Sequence, residues 1–434
     1  MSKQIRLGIL GLGTVGTGVV RILERNGDLI GQRIGSELDL IGVAVRDSVK
    51  ERAVSLPEGV LTTDPFAVVR NPDVDIVVEL IGGSDLAREL ALEAIAHGKH
   101  LVTANKALLA AHGDEIRQAA SEAHVSLGFE ASVAGGIPVI KTIREALGAN
   151  RIQSVYGIIN GTSNYILTTM REEERAFGDV LAEAQRAGYA EADPTFDVGG
   201  VDSAHKLAIL VNLAFGVPVR LEEIYTEGIT EISPTDIEFG RAFGYTLKLL
   251  AIAKSSTEGV EARVHPTLVP NTHPLAQVGG VYNAIEIIGD AVGDLMLYGR
   301  GAGEMPTASA VVGDIMDISR EMLRSGGPRL PFSLLGDSRN GRIRPIDSIS
   351  SLYYIRFMVS DQPGVLSEIS GILGRHNISI ESVIQKGRET GGPVPLVVMT
   401  HTAVERDVRA ALSEIDLLES VSEKAVLIRV EAEK

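Results

Sequence analysis

The chain has 434 residues, 44% of them hydrophobic and 23% charged, with a formal net charge of −16. That length allows two or three domains around large cores, and the acidic balance opposes nucleic acid and anionic membrane surfaces, which need a basic face. There is no cysteine, which excludes disulfides, cysteine-bearing zinc sites and thiol nucleophiles and leaves the chemistry to oxygen and nitrogen groups.

"MSKQIRLGIL" enters an apolar strand too soon after Met1 for a signal peptide, and no apolar run reaches the ~18–20 residues of a membrane span. The expected location is the cytoplasm, or a plastid if a transit peptide has been removed. Residues 1–150 alternate strand-like "QIRLGIL", "LDLIGVAV", "VDIVVELI", "KHLVT" and "VSLGF" with helix-length segments, which predicts an α/β, Rossmann-type domain with a parallel sheet. Straight after the first strand, "GLGTVG" puts Gly11, Gly13 and Gly16 in dinucleotide-loop spacing. Gly11 permits the turn, Gly13 lets backbone approach a pyrophosphate, and Gly16 lets helix and strand pack closely. The second strand ends in Arg46, where an acid would hold a ribose 2'-hydroxyl. An arginine there can pair with a 2'-phosphate, which favours NADP and leaves NAD open, since Asp47 follows directly.

Lys106 in "TANKALL" closes the fourth strand, on the sheet edge where such folds bind ligands. After the fifth, Glu130 precedes "ASVAGGIP". On an extended trace the carbonyls of Val133, Gly135 and Ile137 would point one way and, with the Glu130 carboxylate, form an oxygen cage for a hard cation. The plain alternative is a glycine turn that happens to follow a glutamate.

From 151 to 305 the strand-like segments "RIQSVYGIING", "LKLLAIAK", "EARVHPTLV" and "YNAIEIIGD" mix with helices, predicting a mixed α+β substrate and dimerisation domain. Within it, "GYAEADPTFDVGGVDSAHK" (188–206) gathers Glu191, Asp193, Asp197, Asp202, His205 and Lys206. Asp202 and Lys206 are four apart on a helix that is apolar nearly all round, so the pair is expected at a cavity rather than in bulk water. An amphipathic helix over 306–326 completes the first domain, 327–350 reads as a linker, and 351–434 follows the strand–helix–strand–strand–helix–strand order of a ferredoxin-like unit.

Together, "GLGTVG", "TANKALL", "EASVAGGIP", "GTSNYIL", the 188–206 stretch and "GRGAGEMPTASAVVGD" resemble homoserine dehydrogenase, and "DQPGVLSEISGILGRHNISI" resembles an ACT domain, an amino-acid-sensing module. The resemblance implies NAD(P)-dependent interconversion of L-homoserine and L-aspartate 4-semialdehyde, in the biosynthesis of threonine, methionine and isoleucine. It implies a cofactor loop at Gly13, Thr14 and Val15, with Arg46 near the adenosine ribose and Lys106 in the active site. Gly188 and Gly303 match backbone contacts near cofactor and substrate. Glu191 and Asp202 match substrate ligands, with Asp197 beside them for the α-ammonium, and Lys206 matches the acid/base.

The resemblance also implies a structural sodium or similar monovalent cation at Glu130, Val133, Gly135 and Ile137. Threonine is the effector it implies at the ACT domain, where the Asp361–Leu366 turn opens a helix N-terminus with Asn377 nearby. A homodimer or homotetramer is expected, with neither nucleic acid nor membrane as partner. The missing cysteine excludes aspartate-semialdehyde dehydrogenase and the zinc alcohol dehydrogenases. Another NADP-dependent reductase of small amino or oxo acids, or a catalytically silent amino-acid sensor, stays open at this point.

Overall fold

A computed structural model describes residues 4–324, 341–385 and 393–431; residues 327–340 of the expected linker lie outside them. Two compact units divide the chain: Met1–Val155, Ser203–Glu222 and Tyr282–Gly341 form the first, and Tyr156–Asp202, Glu223–Val281 and Arg342–Lys434 the second.

In the first unit, strands β1 (Ile5–Leu10), β2 (Leu38–Ala44), β3 (Leu61–Thr62), β4 (Ile76–Glu79), β5 (His100–Thr103) and β6 (Leu127–Gly128) form a parallel sheet in the order β3-β2-β1-β4-β5-β6. Runs such as Leu7, Ile9 and Leu10 or Ile76, Val77 and Val78 are fully buried, as strands covered by helices on both faces require. The order reverses between β1 and β4, the crevice where doubly wound sheets bind nucleotides. Helix Glu304–Leu323 packs on helix Thr14–Ile34: a Cβ at Gly18 would meet Ala308 Cβ at 2.9 Å, and Arg21 pairs with Glu304. Val19, Ile22, Val311 and Ile315 share one apolar cluster with β1.

In the second unit, β7 (Ile152–Ile158), which crosses the division, is followed by β8 (Tyr225–Thr226), β9 (Tyr245–Ser256) and β10 (Gly259–Pro270). The hairpin β11 (Tyr282–Gly289) and β12 (Gly293–Arg300) belongs to the first unit. The last strands are β13 (Ser350–Ser360), β14 (Ile380–Gln385), β15 (Pro393–Thr400), β16 (Ala403–Val404) and β17 (Val421–Val430). Order β17-β13-β15-β14, antiparallel throughout, with helices Val365–Arg375 and Glu405–Ile415, is the split βαβ arrangement. Tyr353, Ile355 and Phe357 of β13 share a core with Ile369, Ile372, Val408 and Leu412.

This sheet does not end at β17. One edge of β10 pairs along its length with β9, while its other edge takes an isolated bridge from Ile343 at Val260, β8 at Arg263 and Val264, and β17 at Thr267 and Leu268. None of the described helices is long and apolar enough to cross a membrane.

Candidate active site

The cofactor loop lies between β1 and helix Thr14–Ile34. Gly11 has φ +96°, and a Cβ at Gly16 would run into the Gly11 carbonyl oxygen, so turn and helix touch. A Cβ at Gly13 would meet nothing within 4 Å, no side chain caps the helix, and its first turn holds no acid. The start of this helix therefore offers an anion open space and the positive end of the helix dipole, which fits a pyrophosphate. Arg46 is exposed two residues past β2, while the Asp47 carboxylate accepts the Val49 and Lys50 N–H groups at 2.9 and 3.3 Å and turns into its own loop.

Lys106 is half-buried as the first residue of helix Lys106–Glu122. Asn105 caps that helix by accepting the Leu108 N–H at 3.1 Å, and its amide donates to the Gly83 carbonyl at 2.6 Å. Glu79, at the end of β4, is fully buried and accepts from the Thr103 hydroxyl at 2.5 Å and the Ile81 N–H at 2.9 Å. Burial pushes its carboxyl above the usual range. Sequence reasoning passed over Glu79 and Asn105, which tie together the ends of β4 and β5.

The Glu130–Ile137 segment is not extended. A 3-10 turn Glu130–Ser132 leads into Ala134 and Gly135, both left-handed at φ 54° and 51°. The two Glu130 oxygens accept the N–H groups of Ile140 and Lys141 at 2.8 Å each, and its own N–H donates to Asp314 at 2.8 Å. The Ile137 carbonyl accepts the Val139 N–H at 2.8 Å, and the Gly136 N–H donates to the Arg300 carbonyl at 3.2 Å. Backbone and carboxylate oxygens with apolar side chains at Val133 and Ile137 are a hard, oxygen-only donor set, and no group of three or more His, Cys, Asp or Glu that could hold a metal ion occurs among the described residues. Gly303, φ +121°, caps helix Glu304–Leu323.

In the second unit, Gly188 takes φ +76° where helix Phe177–Arg186 ends, and Glu191 is exposed on the turn that follows. Asp197 lies in the short helix Thr195–Val198, and Asp202 is 2% exposed. One side chain that the sequence reading did not single out joins these two acids. The Asn160 amide donates to Asp197 Oδ1 at 2.7 Å and to Asp202 Oδ2 at 2.9 Å, while its oxygen accepts the Ser163 N–H at 2.8 Å and caps helix Gly161–Glu173. The Ser163 hydroxyl donates to the Asp197 carbonyl at 3.1 Å, and that of Thr162 to the Tyr189 carbonyl at 2.8 Å. Asp193 accepts the Thr195 N–H at 3.1 Å, a local turn. Helix Val201–Phe215 passes from this unit into the first, where Lys206, four positions beyond Asp202, is 9% exposed.

At the ACT turn, Gly364 caps helix Val365–Arg375 at φ +101° with no side-chain cap, and Asn377 is left-handed at φ 59°. Gln385 donates to Asp361 at 3.4 Å.

Three family profiles match: "Homoserine dehydrogenase, NAD binding domain" over residues 11–130, "Homoserine dehydrogenase" over 138–316, and "ACT domain" over 353–416. The homoserine dehydrogenase of Pseudomonas aeruginosa is 49% identical over 433 residues, 99% of each chain. The crystal structure of the enzyme from Thiobacillus denitrificans superposes with a TM-score of 0.93 at 48% identity, covering 99% of this chain and 98% of that one. A hyperthermophilic archaeal homoserine dehydrogenase in complex with NADPH matches 75% of this chain and all of its own at TM-score 0.63 and 28% identity. The family models, the relative and the superposed structure agree, and the chain belongs to the homoserine dehydrogenase family, with a C-terminal ACT domain.

Proposed function

We propose that this chain catalyses the reversible NAD(P)-dependent oxidation of L-homoserine to L-aspartate 4-semialdehyde, with NADP preferred through Arg46. The observation that supports it most is the Asn160 amide, which fixes Asp197 and Asp202 as neighbours at the start of the helix that carries Lys206.

The Gly11–Gly16 loop would hold the pyrophosphate of a nicotinamide dinucleotide, which would supply or accept the hydride at the substrate's terminal carbon. Glu191 and Asp197 hold the α-ammonium by charge. Asp202 orients the terminal oxygen or Lys206, and the Lys206 ammonium gives its proton to that oxygen as the aldehyde is reduced, taking it back in the oxidation. Lys106, at a helix start beside the crevice, adds a second cation for the developing negative charge. Glu130 with the carbonyls of Val133, Gly135 and Ile137 holds sodium or a similar monovalent ion, which an oxygen set with one carboxylate suits better than a divalent one. The Gly364 helix start, with Asn377, binds threonine by its carboxylate, and the enzyme works as a dimer or tetramer.

Purified protein is expected to consume aspartate semialdehyde with NADPH, and more slowly with NADH in parallel. Lys206→Ala lowers kcat by roughly 10² or more with the KM for NADPH preserved; near-normal turnover removes Lys206 from its role. Threonine titrated into the same assay, with oligomer size followed, tests the effector: no change in rate or size leaves the ACT domain structural.

A further inference from the structure

Arg429 lies next to the end of β17 with its side chain 2% exposed. A guanidinium withdrawn from water needs its charge matched and its five N–H groups paired. Here they are divided between two elements. Nε donates to Glu405 Oε2 at 2.9 Å and Nη2 to Glu405 Oε1, a two-point pairing on the first residue of helix Glu405–Ile415. The fully buried Glu405 also accepts from the Tyr353 hydroxyl and from Arg409 Nε, both at 2.9 Å. On the other side, Arg429 Nη1 donates to Glu227 Oε2 at 3.0 Å and Nη2 to the Tyr225 hydroxyl at 3.2 Å, and that hydroxyl donates to Glu227 Oε2 at 2.7 Å.

Tyr225 and Glu227 lie in and just beyond β8, a strand of two residues. Its backbone ties are parallel pairing at Arg263 and Val264 and one bond from the Glu227 N–H to the Val264 carbonyl at 2.8 Å. So short a strand has little pairing of its own, and the buried guanidinium holds its side-chain end. What rests on that segment is the turn Val198–Gly200. The Ile229 N–H donates to the Val198 carbonyl at 2.9 Å. A Cβ at Gly228 would run into that same carbonyl oxygen, and one at Gly200 would meet Thr226 Cγ2 at 3.1 Å and Val264 Cγ1 at 3.2 Å. The turn is therefore seated without slack, and it separates Asp197 from Asp202, both of which must meet the one Asn160 amide.

We infer that Arg429 and Glu227 are a positioning pair for the amino-acid substrate: the last strand of the ACT domain holds β8, β8 seats the Val198–Gly200 turn, and the turn sets the spacing of Asp197 and Asp202. The inference rests on the reading of those two aspartates as substrate ligands. Neither member of the pair touches the substrate; each acts through the turn.

The test uses the full-length protein and measures kcat, the KM values for homoserine and NADP, and the thermal midpoint. Glu227 is 37% exposed, so Glu227→Gln is the variant that keeps its fold, and it tests the pair even if Arg429→Met does not fold. Both variants are expected to raise the homoserine KM about five- to tenfold, with the NADP KM unchanged and kcat within about threefold. Arg429→Lys recovers only part of the loss, because an ammonium cannot serve both carboxylates in a fork. The double variant costs less than the sum of the two singles, the mark of direct coupling. Lys254→Met breaks the 3.0 Å ion pair to Glu431, near the same strand end but away from the turn, and leaves the homoserine KM as it was.

A lowered thermal midpoint with an unchanged homoserine KM in Glu227→Gln overturns the inference, as does an equal rise in both KM values. Asp202→Asn separates this from failure of the site reading. If it raises the homoserine KM while Glu227→Gln does not, the positioning pair alone is wrong; if Asp202→Asn itself changes nothing, the substrate site and the pair fall together.

Discussion

Lys248 on β9 is an ammonium in a place that suits an amine. It is 1% exposed and donates to the Val278 carbonyl at 2.5 Å and to Asn164 Oδ1 at 3.3 Å, two neutral acceptors. Burial pushes it down to about 7. Since the unfolded chain keeps the ordinary lysine value, it binds more protons than the folded one between that point and pH ~10.4, and stability rises with pH across the window. Below pH 7 both states are charged and the contribution is gone. Replacing the side chain in Lys248→Met removes this rise, so urea midpoints of the two proteins measured from pH 6 to pH 10 diverge in slope above 7 and run parallel below it. Parallel lines throughout would mean that the lysine stays charged in the fold.

The same scale shows what one-dimensional reading of the site could and could not reach. Glu191, Asp197, Asp202 and Lys206 stand out because residues 191–206 carry four acids together with His205 and Lys206 at the start of an apolar helix. Asn160 does not stand out: in "INGTSN" an asparagine between a strand and a helix reads as an N-cap, which it is. Its second task uses the other end of the amide on acids 37 and 42 positions away. Nothing local announces a bond across that separation.

Among elements, the strand–turn–helix of the cofactor loop was legible because three glycines stand in fixed spacing directly after one strand, although only Gly16 answers to backbone within the loop: a Cβ at Gly11 would meet Leu80 and Ile81, and one at Gly13 nothing. Their roles differ, and the difference is measurable. At Gly13 a methyl group has space in the fold but fills the place of a pyrophosphate, so Gly13→Ala is expected to keep the thermal midpoint and raise the NADP KM tenfold or more, roughly. At Gly16 the methyl group collides with the Gly11 carbonyl, so Gly16→Ala lowers stability as well, by about 1–3 kcal/mol. Melting curves alongside initial rates check both; equal behaviour of the two variants would contradict this division of labour.

An extended Glu130–Ile137 trace would point alternate carbonyls one way, and the left-handed pair Ala134 and Gly135 makes instead the turn that the sequence offered as the plain alternative. Alanine carries no sequence signal for that conformation. Strand β3 is two residues long and β12 is half-exposed on both faces, so neither has a period to detect.

At the scale of the whole molecule, the ferredoxin-like order of the last 84 or so residues was plain from alternating strands and helices, but its attachment was not, since it depends on which edge of which strand is left unpaired. β10 is buried over nearly its whole length, and the edge away from β9 would present its N–H and C=O groups to any passing strand. Ile343, β8 and β17 cover that edge end to end. Beside them Arg263, 1% exposed, is neutralised by Glu261 at 2.8 Å and by Glu431 at 3.3 Å, and Arg356 of β13 binds the fully buried Asp236 at 2.7 Å.

Removing residues 342–434 strips two of the three covers, takes one acid from Arg263, and leaves the buried Asp236 without its guanidinium. The truncated chain is therefore expected to melt about 10 °C or more below the full-length protein, or to aggregate through the exposed β10 edge. Thermal denaturation with size-exclusion chromatography decides the matter. A truncated chain that stays in its original elution position with an unshifted midpoint would make the ACT domain an appendage; loss of stability makes it an integral part of the sheet that contains β9 and β10.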